Sequence, residues 1–232
     1  MPEITSSLFW ISVLQIIAID IMLGGDNAVV IALACRKLPP EQRNKGIFWG
    51  VFGAIGLRVV MIFFALQLLA LPYLKIIGAL LLLWIGIKLL VPEEDDGHEG
   101  IDGGTTLMAA IKTIIMADVV MSLDNVIAVA GASHGSIVLV TFGILVSIPI
   151  VVWGSKLVLT LMDRFPVVIT VGAGLLGWIA GGMFLTDPAM PEGFAKSIPY
   201  AHYVFAVVGA AFVVLLGKFM ASKQGAKAAH DL

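Results

Sequence analysis

Charge is scarce in this chain. Asp, Glu, Lys and Arg make up 13% of its 232 residues, and 59% are hydrophobic. A soluble domain carries roughly 25% charged and 45–50% apolar residues. Mean hydropathy is +1.03, so an ordinary soluble domain is excluded and an integral membrane protein is indicated. Cysteine is almost absent: Cys35 stands by itself, which excludes an intramolecular disulfide. Positive charge is not in excess either. The net charge of −2 gives no basic footprint for nucleic acid. Two motifs are missing: no Gly-x-x-x-x-Gly-Lys-Ser/Thr loop to hold ATP phosphates, and no His-Glu-x-x-His to hold a catalytic zinc. His98, His134, His202 and His230 are scattered. The N-terminus has no basic segment and no small-residue cleavage site, so the first helix is expected to act as its own insertion signal.

Long apolar runs fill the rest. A membrane helix needs roughly 20 mostly apolar residues. Candidate spans are 8–34, 46–68, 72–91, 106–131, 137–161, 166–185 and 200–220. They are continuous, without the period-two alternation of barrel strands. Turn and stop residues separate them: Pro39-Pro40, Pro72, Pro92, Gly103-Gly104, Gly135-Ser136, Pro166, Pro188 and Pro191. The expected fold is an all-α membrane protein with seven transmembrane helices. Basic residues mark the cytoplasmic loops. Arg36, Lys37, Arg43 and Lys45 follow the first span, Arg164 follows the fifth, and Lys218, Lys223 and Lys227 follow the seventh. The expected orientation is therefore N-terminus outside and C-terminus in the cytoplasm.

The chain also repeats. Asp20 and Asp118 are 98 residues apart, as are Asp26 and Asp124, Asn27 and Asn125, Gly56 and Gly154, and Arg58 and Lys156. Beyond the second span the offset is 94, carrying Pro72 onto Pro166 and Trp84-Ile85 onto Trp178-Ile179. Each copy holds three spans, an odd number, so the copies enter the membrane in opposite directions. The expectation is an inverted-topology 3+3 repeat plus a seventh helix, a pattern typical of secondary transporters. The divisions are 1–91 for the first repeat, 92–105 for an acidic cytoplasmic loop, 106–186 for the inverted repeat, and 187–232 for a linker, the seventh helix and a basic tail.

The polar heart of each copy is a short motif: Asp20 with Gly24-Gly25-Asp26-Asn27, and Asp118 with Ser122-Leu123-Asp124-Asn125. An aspartate at mid-membrane costs about 2.5–3.5 kcal/mol on insertion scales. The bland reading is interhelical hydrogen bonding, which serine or asparagine would supply more cheaply. The functional reading is a cation site built from Asp20, Asp26, Asn27, Asp118, Asp124 and Asn125, whose hard oxygens suit Mg, Ca and Mn. Met121 would tilt the set towards Mn, unless it is only a filler of a helix interface. Asp20 and Asp26 fall on different faces of a straight helix, so Gly24 and Gly25 are expected to unwind it as a hinge. Arg58 and Lys156 are candidate charge-compensating residues, or else they snorkel to an interface. Four aspartates less two cations leave −2, the charge one divalent ion neutralises. The acidic loop from Glu93 to Asp102 reads as a solvated linker or a collector of metal.

On Asp20…Gly25-Asp26-Asn27-Ala28 and Asp118…Ser122-Leu123-Asp124-Asn125 the chain resembles the TerC family of integral membrane proteins, within the LysE-like transporter superfamily. The resemblance spans nearly the whole chain. It implies a seven-span inverted repeat in the bacterial inner membrane that exports divalent metal, chiefly manganese, with Asp20, Asp26, Asp118 and Asp124 as the acids. The expectation is a Mn(II) exporter driven by a proton gradient or the membrane potential, and not an enzyme. The alternative is a membrane scaffold that delivers metal to other proteins, in a tellurium-resistance-type role. Expected partners are a divalent ion, protons and membrane lipid, with further copies of the chain as a candidate. No prosthetic group is expected; Mn(II) enters as cargo.

Overall fold

Proline and glycine punctuate a chain that is otherwise strongly helix-forming. The computed structural model describes residues 7–64, 67–68, 71–91, 103–132, 137–191, 194 and 198–230. The described residues are all-helical, with seven helices of 17 to 30 residues: α1 (Ser7–Arg36), α2 (Pro40–Phe63), α3 (Leu74–Leu90), α4 (Gly103–Ala132), α5 (Ile137–Arg164), α6 (Val167–Leu185) and α7 (Ala201–His230). Four stretches among them are long and apolar enough to cross a membrane by length and composition: Pro40–Phe63, Thr141–Arg164, Val167–Leu185 and Ala201–Gln224. At 17 residues α3 sits at the lower limit for a span. The acidic loop expected over 93–102 lies outside the described residues.

The chain divides into two compact units, and each draws on both halves of the sequence. The first comprises Met1–Leu71 with Met108–Thr160, and the second Pro72–Leu107 with Leu161–Leu232. The first thus holds α1, α2 and most of α4 and α5; the second holds α3, α6 and α7.

In the first unit, α1 and α2 form a tight hairpin. Pro40 opens α2 at a position where its missing N–H costs nothing. Arg43 then reaches back, donating from Nε to the Leu38 carbonyl at 3.2 Å and from an Nη to the Arg36 carbonyl at 3.0 Å. A cation there satisfies orphan carbonyls and suits the negative end of the α1 dipole. Gly50 and Gly53 of α2 face Ile114 and Ile115 of α4, and Gly143 and Gly154 of α5 face Ile16 and Ala28 of α1. Both pairings advance together along the sequence, so α2 runs parallel to α4 and α1 parallel to α5.

In the second unit, backbone meets backbone. Gly177 lies against Gly209, and Gly181 against Phe205 and Ala206. A methyl group at either position would collide with main-chain atoms of α7. The register descends on α7 as it rises on α6, so these helices are antiparallel. Gly86 and Gly217 link α3 and α7 through Val213 and Leu90.

The N-terminus of α3 is completed from elsewhere in the unit. Tyr73 precedes it in the left-handed region, φ 67°, and offers no side-chain cap. Asp187, 4% exposed in the turn after α6, supplies one. One of its oxygens accepts from the N–H of Tyr73 (2.9 Å) and of Ala189 (2.7 Å). The other accepts from Lys75 (2.9 Å) and Ile76 (3.2 Å). Burial opposes ionisation of Asp187, but these four donors together hold its carboxyl below the usual carboxylate range.

Candidate cation site

Unmet polarity gathers in the first unit. Arg58 of α2 is 5% exposed and forms an ion pair with Asp118 of α4, itself 6% exposed. The helices place them together because α2 and α4 run parallel and the glycines at 50 and 53 allow close approach one and two turns earlier. Ser122, a full turn beyond Asp118 on α4, donates its hydroxyl to the other Asp118 oxygen at 3.3 Å. Both carboxylate oxygens of Asp118 are therefore engaged.

Asp26 and Asn27 of α1 differ from Asp118. Asp26 Oδ1 and Asn27 Oδ1 are buried and accept no hydrogen bond from the described residues, with Asn27 only 5% exposed. Leaving a buried acceptor unmet costs about 1–3 kcal/mol. The charges of Arg58 and Asp118 both act on Asp26. The donor set, carboxylate and amide oxygens, fits a hard or borderline divalent cation.

Arg58, Asp118 and Asp26 thus belong to one electrostatic neighbourhood. Met121 is buried on α4, one turn from Asp118. Lys156, the repeat mate of Arg58, is exposed on α5. The side chains of Asp20, Asp124 and Asn125 lie outside the described ones, and among the described residues no three His, Cys, Asp or Glu side chains converge. The unwound segment expected at Gly24-Gly25 is not observed: α1 runs unbroken through both residues. A glycine in a helix interior costs only about 0.5–1 kcal/mol relative to alanine, too little to open a 30-residue helix by itself.

Ser122 and Asp187 were not singled out for these roles by sequence reasoning. The i, i+4 spacing from Asp118 could have flagged Ser122. The absence of a capping side chain before Leu74 could have signalled that α3 needs an acceptor from another segment.

The family described as integral membrane protein TerC family matches residues 5–225. The chain belongs to the TerC family. It is 43% identical to the uncharacterized membrane protein YjbE of Bacillus subtilis (strain 168) over 207 residues, spanning 89% of this chain and 94% of that one. It is 27% identical over 229 residues to a second uncharacterized membrane protein of the same organism, YceF, covering 95% and 86%. Similarity to the inner membrane protein YoaE of Escherichia coli (strain K12) is 26% over 223 residues, 88% of this chain but 42% of YoaE. No solved structure matches. This TerC-family chain is an integral membrane protein with bacterial relatives.

Proposed function

We propose that this protein is a divalent metal cation transporter whose cargo is Mn(II), exported through the bacterial inner membrane. The observation that carries the reading is the pair of buried oxygens without a hydrogen-bond partner, Asp26 Oδ1 and Asn27 Oδ1, in the unit that also buries the Asp118–Arg58 ion pair. In hydrocarbon, ionisable groups of this kind mark ion pathways. Asp20, Asp124 and Asn125 join the set by the 98-residue repeat. Parallel pairing of α1 with α5 and of α2 with α4 supports seven spans arranged as an inverted repeat. Such a repeat brings the first helix of one copy against the second helix of the other. The basic loops support an external N-terminus and a cytoplasmic C-terminus. Without a nucleotide loop, the energy comes from a proton gradient or the membrane potential.

The test is metal flux in liposomes holding the purified protein, with Mn, Ca, Mg, Zn and Fe each offered at two pH values. Mn(II) flux above that of empty liposomes is expected, and a dependence on pH identifies the proton as the coupling ion. Mn(II) binding without movement would replace transport by the scaffold reading.

A further inference from the structure

Among the described residues of the two motifs, Asp118 differs from Asp26 and Asn27. Asp118 is satisfied from within the protein by Arg58 and Ser122, whereas Asp26 and Asn27 present oxygens with no hydrogen-bond donor among the described residues. An arginine stays protonated at any working pH, so it cannot release Asp118 by losing its charge. Both Asp118 oxygens already carry a partner, so a divalent cation drawn to Asp26 and Asn27 competes with the guanidinium for Asp118. We propose that Arg58 is a tethered competitor for the cargo: it occupies Asp118 in the empty carrier and is expelled when a divalent cation binds.

The proposal rests on the cation-transport reading and adds the rule by which the site resets. Neutralised by Arg58, Asp118 can pass through the unloaded step of the cycle without a counter-ion of its own. The repeat mate Lys156 is exposed, so in this conformation the buried cation comes from the first sequence half. A guanidinium close to a cation site also lowers affinity for cargo, which keeps binding reversible. The proposal therefore separates two quantities that a merely structural ion pair would move together: cargo affinity and net turnover.

The experiment compares wild type with R58Q, both full-length, measuring Mn(II) binding to purified protein and two fluxes in liposomes. One flux is net Mn(II) movement into metal-free medium; the other is exchange of labelled for unlabelled Mn(II). Removal of the competitor should tighten Mn(II) binding about tenfold, within the range of typical coupling between sites. Exchange should persist while net movement falls about tenfold, because the empty site can no longer reset. Weaker binding in R58Q, or equal loss of both fluxes, overturns the proposal. If R58Q does not fold, R58K decides. A retained positive charge predicts affinity near that of wild type and retained net movement, and a tenfold gain in affinity would overturn the competitor role. Failure of wild type itself to bind or move Mn(II) overturns the transport reading instead, and the proposal with it.

Discussion

Each unit, taken by itself, packs its helices differently. In the second, α6 and α7 approach until Gly177 and Gly181 touch main chain, and the polar exception, Asp187, sits at a helix end with four backbone donors. In the first, Gly50, Gly53 and Gly143 meet isoleucine side chains, and Asn27, Arg58, Asp118, Ser122, Ser147 and Ser155 are buried. Among the described buried polar residues, Asp187 is the one that belongs to the second unit. Close backbone approach gains dispersion and needs no charge. Buried charge gains little stability even when paired. The first unit keeps such charge all the same, and Asp26 Oδ1 and Asn27 Oδ1 are among its buried oxygens without a hydrogen-bond partner.

Substitutions can break this contrast, beginning with the strongest. Asp118→Asn removes the carboxylate charge paired with a buried arginine, and breaking such a pair costs about 3–5 kcal/mol. Thermal unfolding in detergent should show the loss, and the double variant Asp118→Asn/Arg58→Gln should recover part of it. An unchanged midpoint in Asp118→Asn would mean that the pair is not buried in the folded protein. Gly181→Ala overpacks the α6–α7 contact and should cost about 1–3 kcal/mol while leaving Mn(II) binding per folded molecule intact.

Asp187→Ala removes four accepted hydrogen bonds and a helix cap, about 1–2 kcal/mol. Because the folded-state carboxyl lies below its ordinary value of 3.8, the contribution is fully present above about pH 5. It is lost as pH falls through the ordinary value towards the depressed one. The variant should therefore lose stability at pH 7 and show a flatter acid limb than wild type between pH 5 and 3. The smallest effect has the opposite sign. A methyl group at Gly25 would meet nothing within 4 Å, so Gly25→Ala should stabilise α1 by about 0.5–1 kcal/mol. If it also slows flux, the glycine serves movement of α1.

Much of the fold was legible because hydrophobic runs and proline breaks are local signals. The apolar runs beginning at residues 8, 106, 137, 166 and 200 all became helices whose bounds shifted by only a few residues at most starts. Hydropathy measures what fits the hydrocarbon, though, and not where hydrogen bonding stops. α2 begins at Pro40, well before the apolar run at Gly46, because Pro40 is a good first residue and Glu41 favours a helix start. α7 likewise continues to His230 through a basic, helix-favouring tail.

The site was legible as a list of residues and less so as an arrangement. The 98-residue spacing marked Arg58 and Asp118 separately, but their pairing depends on α2 lying parallel to α4, a tertiary fact. Glycines at helical spacing can let helices pack closely. The structure bears this out at Gly177 and Gly181, whereas Gly56 faces open space. The pair at Gly24-Gly25 carried a backbone expectation that propensity alone cannot enforce against a long helix.

The central claim is that the unmet oxygens of Asp26 and Asn27 exist for a cation. Titration of Mn(II) into purified wild type and Asp26→Asn tests it most directly, with the thermal midpoint of each recorded alongside. The account predicts that Asp26→Asn loses at least tenfold in Mn(II) affinity while its midpoint stays level or rises. Unchanged affinity in Asp26→Asn, with the protein folded, would contradict it.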